Sequence, residues 1–318
     1  MKTKNKILIL LFSILAFSCD DILEEDISDK IAVIVYPANN IVISSNVVNF
    51  QWQEIKGATS YRVQVISDNQ NVVLDTLVTE TSFTTAILPG HYQWRVRGEN
   101  FAYYSAYSIN ASFSLIESDD LRNQQVILST PQHDFYTKET NITFSWQSIA
   151  AAETYTFQLL NVTNGSTLVN QQEELTGTIV SITNAIIIQD AEYKWKVKAV
   201  NENSETIFSE RTFYLDRVAP NQPSNQLPVN NSTQTINQPI NFNWSIAADS
   251  GIVQSPITYR IEFSNNENFS GTIQTSDVTN TSFSQSFSNS GDYFWRVIAK
   301  DAADNLSSPS TIFKFTIN

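Results

Sequence analysis

The chain is poor in the residues from which most catalytic and nucleotide-binding sites are built. Among 318 residues there are one cysteine, two histidines and eight glycines. A single cysteine excludes a disulfide scaffold and any thiolate zinc cluster. The two histidines, His91 and His133, stand apart and in no metal-ligand spacing. The glycines form no phosphate-cradling loop and no nucleophile elbow. Positive charge is also scarce. Nineteen lysines and arginines face 32 acids, a net charge of −13. Such a chain repels phosphate backbones, so no nucleic-acid partner is expected. The one sustained apolar run, Ile7 to Phe17, is too short for a comfortable transmembrane helix. Paired acids such as Glu173-Glu174 and Asp119-Asp120 lie in polar stretches, and no enzyme is expected.

What is present is a repeat. Tyr92-Gln-Trp94-Arg-Val, Tyr193-Lys-Trp195-Lys-Val and Tyr293-Phe-Trp295-Arg-Val are three versions of one run. Upstream of each stands a second tryptophan, Trp52, Trp146 or Trp244. Tyr61 and Tyr155 follow the first two by nine residues. Tyr259 follows the third by fifteen, which reads as a six-residue loop insertion around Asp249-Ser-Gly251. Pro37, Pro131 and Pro228 precede these tryptophans, and Phe113, Phe213 and Phe313 close each unit. Within a unit the apolar period is two, as in Tyr61-Arg-Val63-Gln-Val65, the pattern of strands with one buried face. All six tryptophans fall on repeat positions and are expected in the core.

The order Trp, Tyr, Tyr-x-Trp-x-Val resembles the fibronectin type III domain, especially its bacterial versions. The resemblance covers about residues 31 to 318. It implies an all-β chain of three tandem immunoglobulin-like or fibronectin type III-like antiparallel sandwiches in an elongated array. The domains are expected at residues 31–117, 125–216 and 220–318, joined by polar links with little inter-domain contact. Such sandwiches serve as spacers, adhesins and accessory modules alike, so the fold names no ligand.

The N-terminus carries Lys2, Lys4 and Lys6, the short apolar run, and then Ser18-Cys19, the form of a secretory signal. The cysteine at the cut resembles the lipobox of bacterial lipoproteins, although Ala16 and Phe17 depart from its usual residues. The resemblance implies a signal peptide over residues 1–18, a lipid on Cys19 and an outer-membrane anchor in a Gram-negative bacterium. The alternative is plain secretion with an idle cysteine. Removing residues 1–18, with three lysines and no acid, takes the net charge from −13 to −16. Residues 19–30 hold six carboxylates and read as a solvated acidic tether. They also resemble the acidic tracts that send lipoproteins to the outer face.

Two stretches could carry recognition. Phe101, Tyr103, Tyr104 and Tyr107 cluster after the first Tyr-x-Trp strand, where the other two units show no matching cluster. Tyrosines on a loop make a plausible recognition surface. Otherwise the rings tuck under a sheet edge or against the second domain. Asp301 and Asp304 sit in a polar loop of the third unit. Oxygen-rich loops can hold calcium, but few ligands are in view, and no resident metal or cofactor is expected. The expected function is non-catalytic: a lipid-anchored, surface-exposed binding or spacer protein, including adhesion. An accessory carbohydrate-binding lipoprotein of a nutrient-uptake system is the alternative. The partner is a protein or a glycan of unstated identity.

Overall fold

The computed structural model describes residues 24–271 and 274–318. Cys19, the signal segment and the first acids of the tether lie outside the described residues. Twenty-four strands and one 3-10 turn, Leu121–Asn123, make up the regular structure, with no α-helix among the described residues.

The first unit contains β1 (Ile34–Tyr36), β2 (Ile41–Ser44), β3 (Val47–Trp52), β4 (Ser60–Ser67), β5 (Val72–Val78), β6 (Ser82–Ala86), β7 (Gly90–Glu99) and β8 (Ala111–Ile116). The second has β9 (Leu128–Thr130), β10 (Phe135–Thr137), β11 (Ile142–Trp146), β12 (Thr154–Asn161), β13 (Thr167–Leu175), β14 (Ile179–Ile182), β15 (Ala191–Val200) and β16 (Ser209–Leu215). The third has β17 (Asn225–Leu227), β18 (Ser232–Gln234), β19 (Ile240–Trp244), β20 (Thr258–Ser264), β21 (Gln274–Val278), β22 (Ser282–Gln285), β23 (Gly291–Lys300) and β24 (Phe313–Ile317).

Each unit pairs a three-stranded sheet with a five-stranded one in the same order: β1-β3-β6 with β2-β8-β7-β4-β5, and so on for each repeat. The pairing is antiparallel with one systematic exception. β10 runs parallel to β16, and β18 parallel to β24. The cause is the proline ahead of these strands. Pro131 and Pro228 end β9 and β17, because proline has no N–H to pair. The chain then keeps its direction and crosses to the opposite sheet. The three repeat prolines, Pro37, Pro131 and Pro228, are all preceded by cis peptide bonds.

The period-two pattern decides which side chains face inward. Along β15, residues 191 to 199 alternate buried and half-buried without a break. The downstream tryptophans, Trp94, Trp195 and Trp295, are fully buried, and the upstream three nearly so. Each upstream tryptophan packs against the next landmark tyrosine, with ring centroids at 5.4 Å for Trp52–Tyr61, 5.6 Å for Trp146–Tyr155 and 5.7 Å for Trp244–Tyr259. Those tyrosine hydroxyls then accept from backbone N–H groups of Ile55, Ile149 and Ala247 at 2.9–3.0 Å. Tyr193 and Tyr293 each donate to a carbonyl four residues upstream, Gln189 and Asn289. A further landmark is a phenylalanine two residues before each upstream tryptophan. Phe50, Phe144 and Phe242 meet Trp94, Trp195 and Trp295 at 4.9–5.2 Å.

One landmark needs correcting. Phe313 is only half-buried, and the ring opposite Tyr293 is Phe315. In the second unit Tyr193 faces Phe213 in the same way. The loop before β24 is longer than its counterpart, so equal spacing from the tryptophan selected the wrong ring.

A second correction concerns the links. Residues 24–30 do not simply hang as a solvated tether. Asp26 and Asp29 are exposed, but Ile27 is 0% exposed, and Ala106 N–H donates to Lys30 O at 3.1 Å. Ile27 precedes β1 by seven residues, as the buried Leu121 precedes β9; Val218, at the same place before β17, is exposed, and there Ala219 O and Asn221 N–H bond the β19–β20 loop instead. Leu121 belongs to the core of the second sandwich. The segments 25–33, 119–127 and 216–224 are therefore lead elements of the sandwich that follows. By contacts the chain forms two units, one built on the first sandwich and one holding the second and third.

Candidate functional site

The aromatic stretch after β7 is divided by the structure. Tyr107 and Tyr104 lie across the outer face of the five-stranded sheet on arginines. The Arg95 guanidinium carbon is 4.2 Å from the Tyr107 ring centre, and that of Arg97 is 4.6 Å from Tyr104. Arg97 also pairs with Glu99 at 2.8 Å, which in turn holds Arg62 at 2.9 Å. Arg97 is thus fixed between a carboxylate and aromatic faces, and Arg95 between Tyr107 and the Gln64 amide oxygen at 2.9 Å. Tyr107 has a counterpart. Phe208 stands thirteen residues after Trp195, as Tyr107 does after Trp94, and lies over Lys196 and Lys198. It is a repeat feature that covers the sheet, and it stands one residue beyond the ring-free stretch Asn203 to Ile207 of the second unit. Phe101, Tyr103 and Tyr104 are particular to the first unit. Phe101 is 96% exposed and Tyr104 59%, and Asn100 Oδ1 accepts from Tyr103 N–H at 2.8 Å to shape the turn.

Asn100 marks the second feature. It stands six residues after Trp94, Asn201 six after Trp195, and Asp301 six after Trp295. In the first unit Asn100 Nδ2 donates to Glu25 O at 2.8 Å and Gly57 O at 2.9 Å. It thereby clips the lead segment to the loop between β3 and β4. Asn201 Nδ2 does the same for Asp119 O at 3.0 Å and Ala151 O at 3.1 Å. In the third unit the amide is a carboxylate. Asp301 faces Asp216 on the lead segment and Asp249 on the inserted β19–β20 loop. One carboxylate oxygen from each lies within 4.8 Å of those of the other two.

The surrounding bonds are specific. Asp301 accepts from Asn305 N–H and Nδ2, both at 2.8 Å. Asn305 Nδ2 also donates to Asp216 O at 2.9 Å, so that amide keeps the lead segment attached. Asp249 accepts from Ser250 N–H at 2.9 Å and Ser255 N–H at 2.6 Å. Asp216 accepts at Oδ1 from Val218 N–H, while its buried Oδ2 has no partner. Asp216 is 1% exposed and Asp301 2%. Burial pushes the Asp216 carboxyl up to about 6, opposed by the Val218 hydrogen bond and reinforced by the charges of Asp249, Asp301 and Asp190. Among the described residues none of the three acids has a cationic partner. Lys300 pairs with Asp304, Arg217 with Asp190, and Lys138 donates to the Asp304 carbonyl.

Asp301 and Asp304, expected together, thus separate. Asp304 is an exposed surface partner of Lys300, whereas Asp301 turns inward to two acids far away in sequence. His91 meets the Ser114 hydroxyl at 2.7 Å, and His133 sits beside Asp134 at the surface. A groove of about 730 Å³ on the third sandwich is lined by Arg260, Asp277 and Lys300 among others, and these charges are already paired.

No family model and no curated protein matches the chain. Among solved structures it is similar to the FN1–FN3 domains of chicken CNTN1, at 15% identity over 90% of this chain and 97% of that one, TM-score 0.39. It is also similar to the fibronectin(III)-like modules of Clostridium thermocellum CbhA, at 19% identity over 61% of this chain and 93% of that one, TM-score 0.38. Titin domains A168–A170 align at 14% identity over 90% and 97%, TM-score 0.37. Strand order makes the three units fibronectin type III-like sandwiches, whatever these likenesses add.

Proposed function

We propose that this is a non-catalytic, lipid-anchored binding protein of the bacterial outer surface, whose first sandwich carries the recognition face. The observation that carries the reading is the exposure of Phe101, Tyr103 and Tyr104 on one loop of that unit alone. Rings held open to water cost solvation and add nothing to the sandwich core, so their use lies outside the fold. Tyrosine gives rigid apolar area with a polar tip, which suits a protein partner. The lipobox resemblance at Cys19 supports the anchor, and the acidic tract behind it supports export to the outer face.

The test is a photo-crosslinking residue at position 101 in living cells, beside a Phe101→Ala/Tyr103→Ala/Tyr104→Ala variant. A discrete protein adduct at position 101, and loss of partner binding in the triple variant at unchanged melting temperature, are expected. Sugar adducts or glycan-array binding instead of protein adducts would establish the carbohydrate alternative. No adduct together with a large fall in melting temperature would make the rings structural and overturn the reading.

A further inference from the structure

We propose that Asp216, Asp249 and Asp301 form a binding site for one divalent cation of the calcium class, at the joint between the second and third sandwiches. The inference is independent of the aromatic face.

Three observations converge. The first is Asp216, which is 1% exposed, has one carboxylate oxygen without a partner, and brings a carboxylate oxygen within 4.8 Å of Asp249 and Asp301. A buried polar atom without a partner is costly, and one facing two further acids more so. The second is the missing counter-charge. Three carboxylates converge, while the neighbouring Lys300, Lys138 and Arg217 are engaged elsewhere. The third is the repeat itself. In two copies an asparagine amide draws the lead segment and the loop together with its two N–H groups. The lead position is an acid in every copy, Glu25, Asp119 and Asp216; only in the third copy are the loop position and the asparagine acids as well, Asp249 and Asp301. Asn305 keeps the amide bond to the lead segment, and a cation is the positive centre that the three carboxylates can share.

The chemistry selects the ion. The donors are oxygens alone, with no imidazole or thiolate, which suits a hard cation over zinc or copper. Ligands on opposite sides of calcium stand about 4.6–5.2 Å apart, twice the usual bond length. The trio, within 4.8 Å, can close on one ion. The inserted loop is what brings Asp249 there, fastened by Ser250 Oγ to Ala219 O at 2.9 Å and by Asn221 N–H to Ala248 O at 2.9 Å.

The experiment uses the full mature chain carrying Cys19→Ala, stripped with chelator and titrated with calcium chloride by calorimetry. One ion per chain is expected, with a melting temperature rise of about 5 °C in ~10 mM calcium for a dissociation constant near ~10⁻⁴ M. Asp301→Asn restores the residue of the other two copies. It is expected to abolish the calcium response while raising the melting temperature of the chelated protein. That sign separates lost binding from lost folding. Asp304→Asn is expected to leave calcium binding intact. No heat and no thermal shift with calcium or magnesium would overturn the proposal, as would loss of binding in Asp304→Asn equal to that in Asp301→Asn.

Discussion

At the scale of the residue, the tyrosine after each upstream tryptophan does two jobs. Its ring fills the core beside the indole, and its hydroxyl satisfies a loop N–H that turns inward. For Tyr259 the donor, Ala247 N, is buried at 3.0 Å. Tyr259→Phe keeps the ring and orphans that donor, so it should cost about 1–3 kcal/mol, read as a lower denaturant midpoint at constant slope. Tyr155→Phe should cost less, because Ile149 N–H is only part-buried. Equal losses in the two variants would mean that ring packing, and not the hydrogen bond, sets the cost. The pair of residues at 301 and 305 follows the same logic of accounting for every buried polar group. Asn305 supplies the amide that Asp301 lacks, which keeps the lead segment attached but leaves the three carboxylates facing one another.

At the scale of the element, the six-residue insertion between β19 and β20 is the departure from the repeat with the largest consequence. It turns at Gly251, whose φ is +100° and where an added Cβ would stand 3.1 Å from Val218 Cβ. Both the conformation and the contact oppose a side chain. Gly251→Ala should therefore destabilise the part of the chain that holds the second and third sandwiches by about 1–2 kcal/mol or more, whereas Gly177→Ala, with open space around it, should be nearly neutral in the same melt. Much of this architecture was legible in the sequence. Aromatic landmarks and a strict period of two specify which faces are buried, and burial fixes register. The exception at Phe313 arose because loop length, and not the strand pattern, set its spacing. The acid trio was not legible as a site, because its members are 33 and 52 residues apart and only the fold brings them together. A signal did exist. Asn100, Asn201 and Asp301 stand at one repeat position, and the change from amide to acid is visible by counting six residues from each tryptophan. The lead segments were misread as links because their polar composition hides single inward residues, Ile27 and Leu121.

At the scale of the whole molecule, the charge and the chain's beginning set the last prediction. Loss of residues 1–18 would take the net charge to −16, which favours an exposed, hydrated surface. In the proposed reading an acylated Cys19 is the attachment. The lead segment packs on the first sandwich from Glu25 onward, which leaves few residues between that sandwich and the proposed lipid site at Cys19. A short connection would hold the first sandwich, and with it Phe101 and Tyr104, close to the membrane, where a membrane-bound partner meets it more readily than a distant cell. Protease added to intact cells should digest the wild-type protein, and a Cys19→Ala version should leave the membrane fraction altogether. Protection of the wild type until the envelope is broken would place the protein inside, and the aromatic face would then have to serve a periplasmic partner.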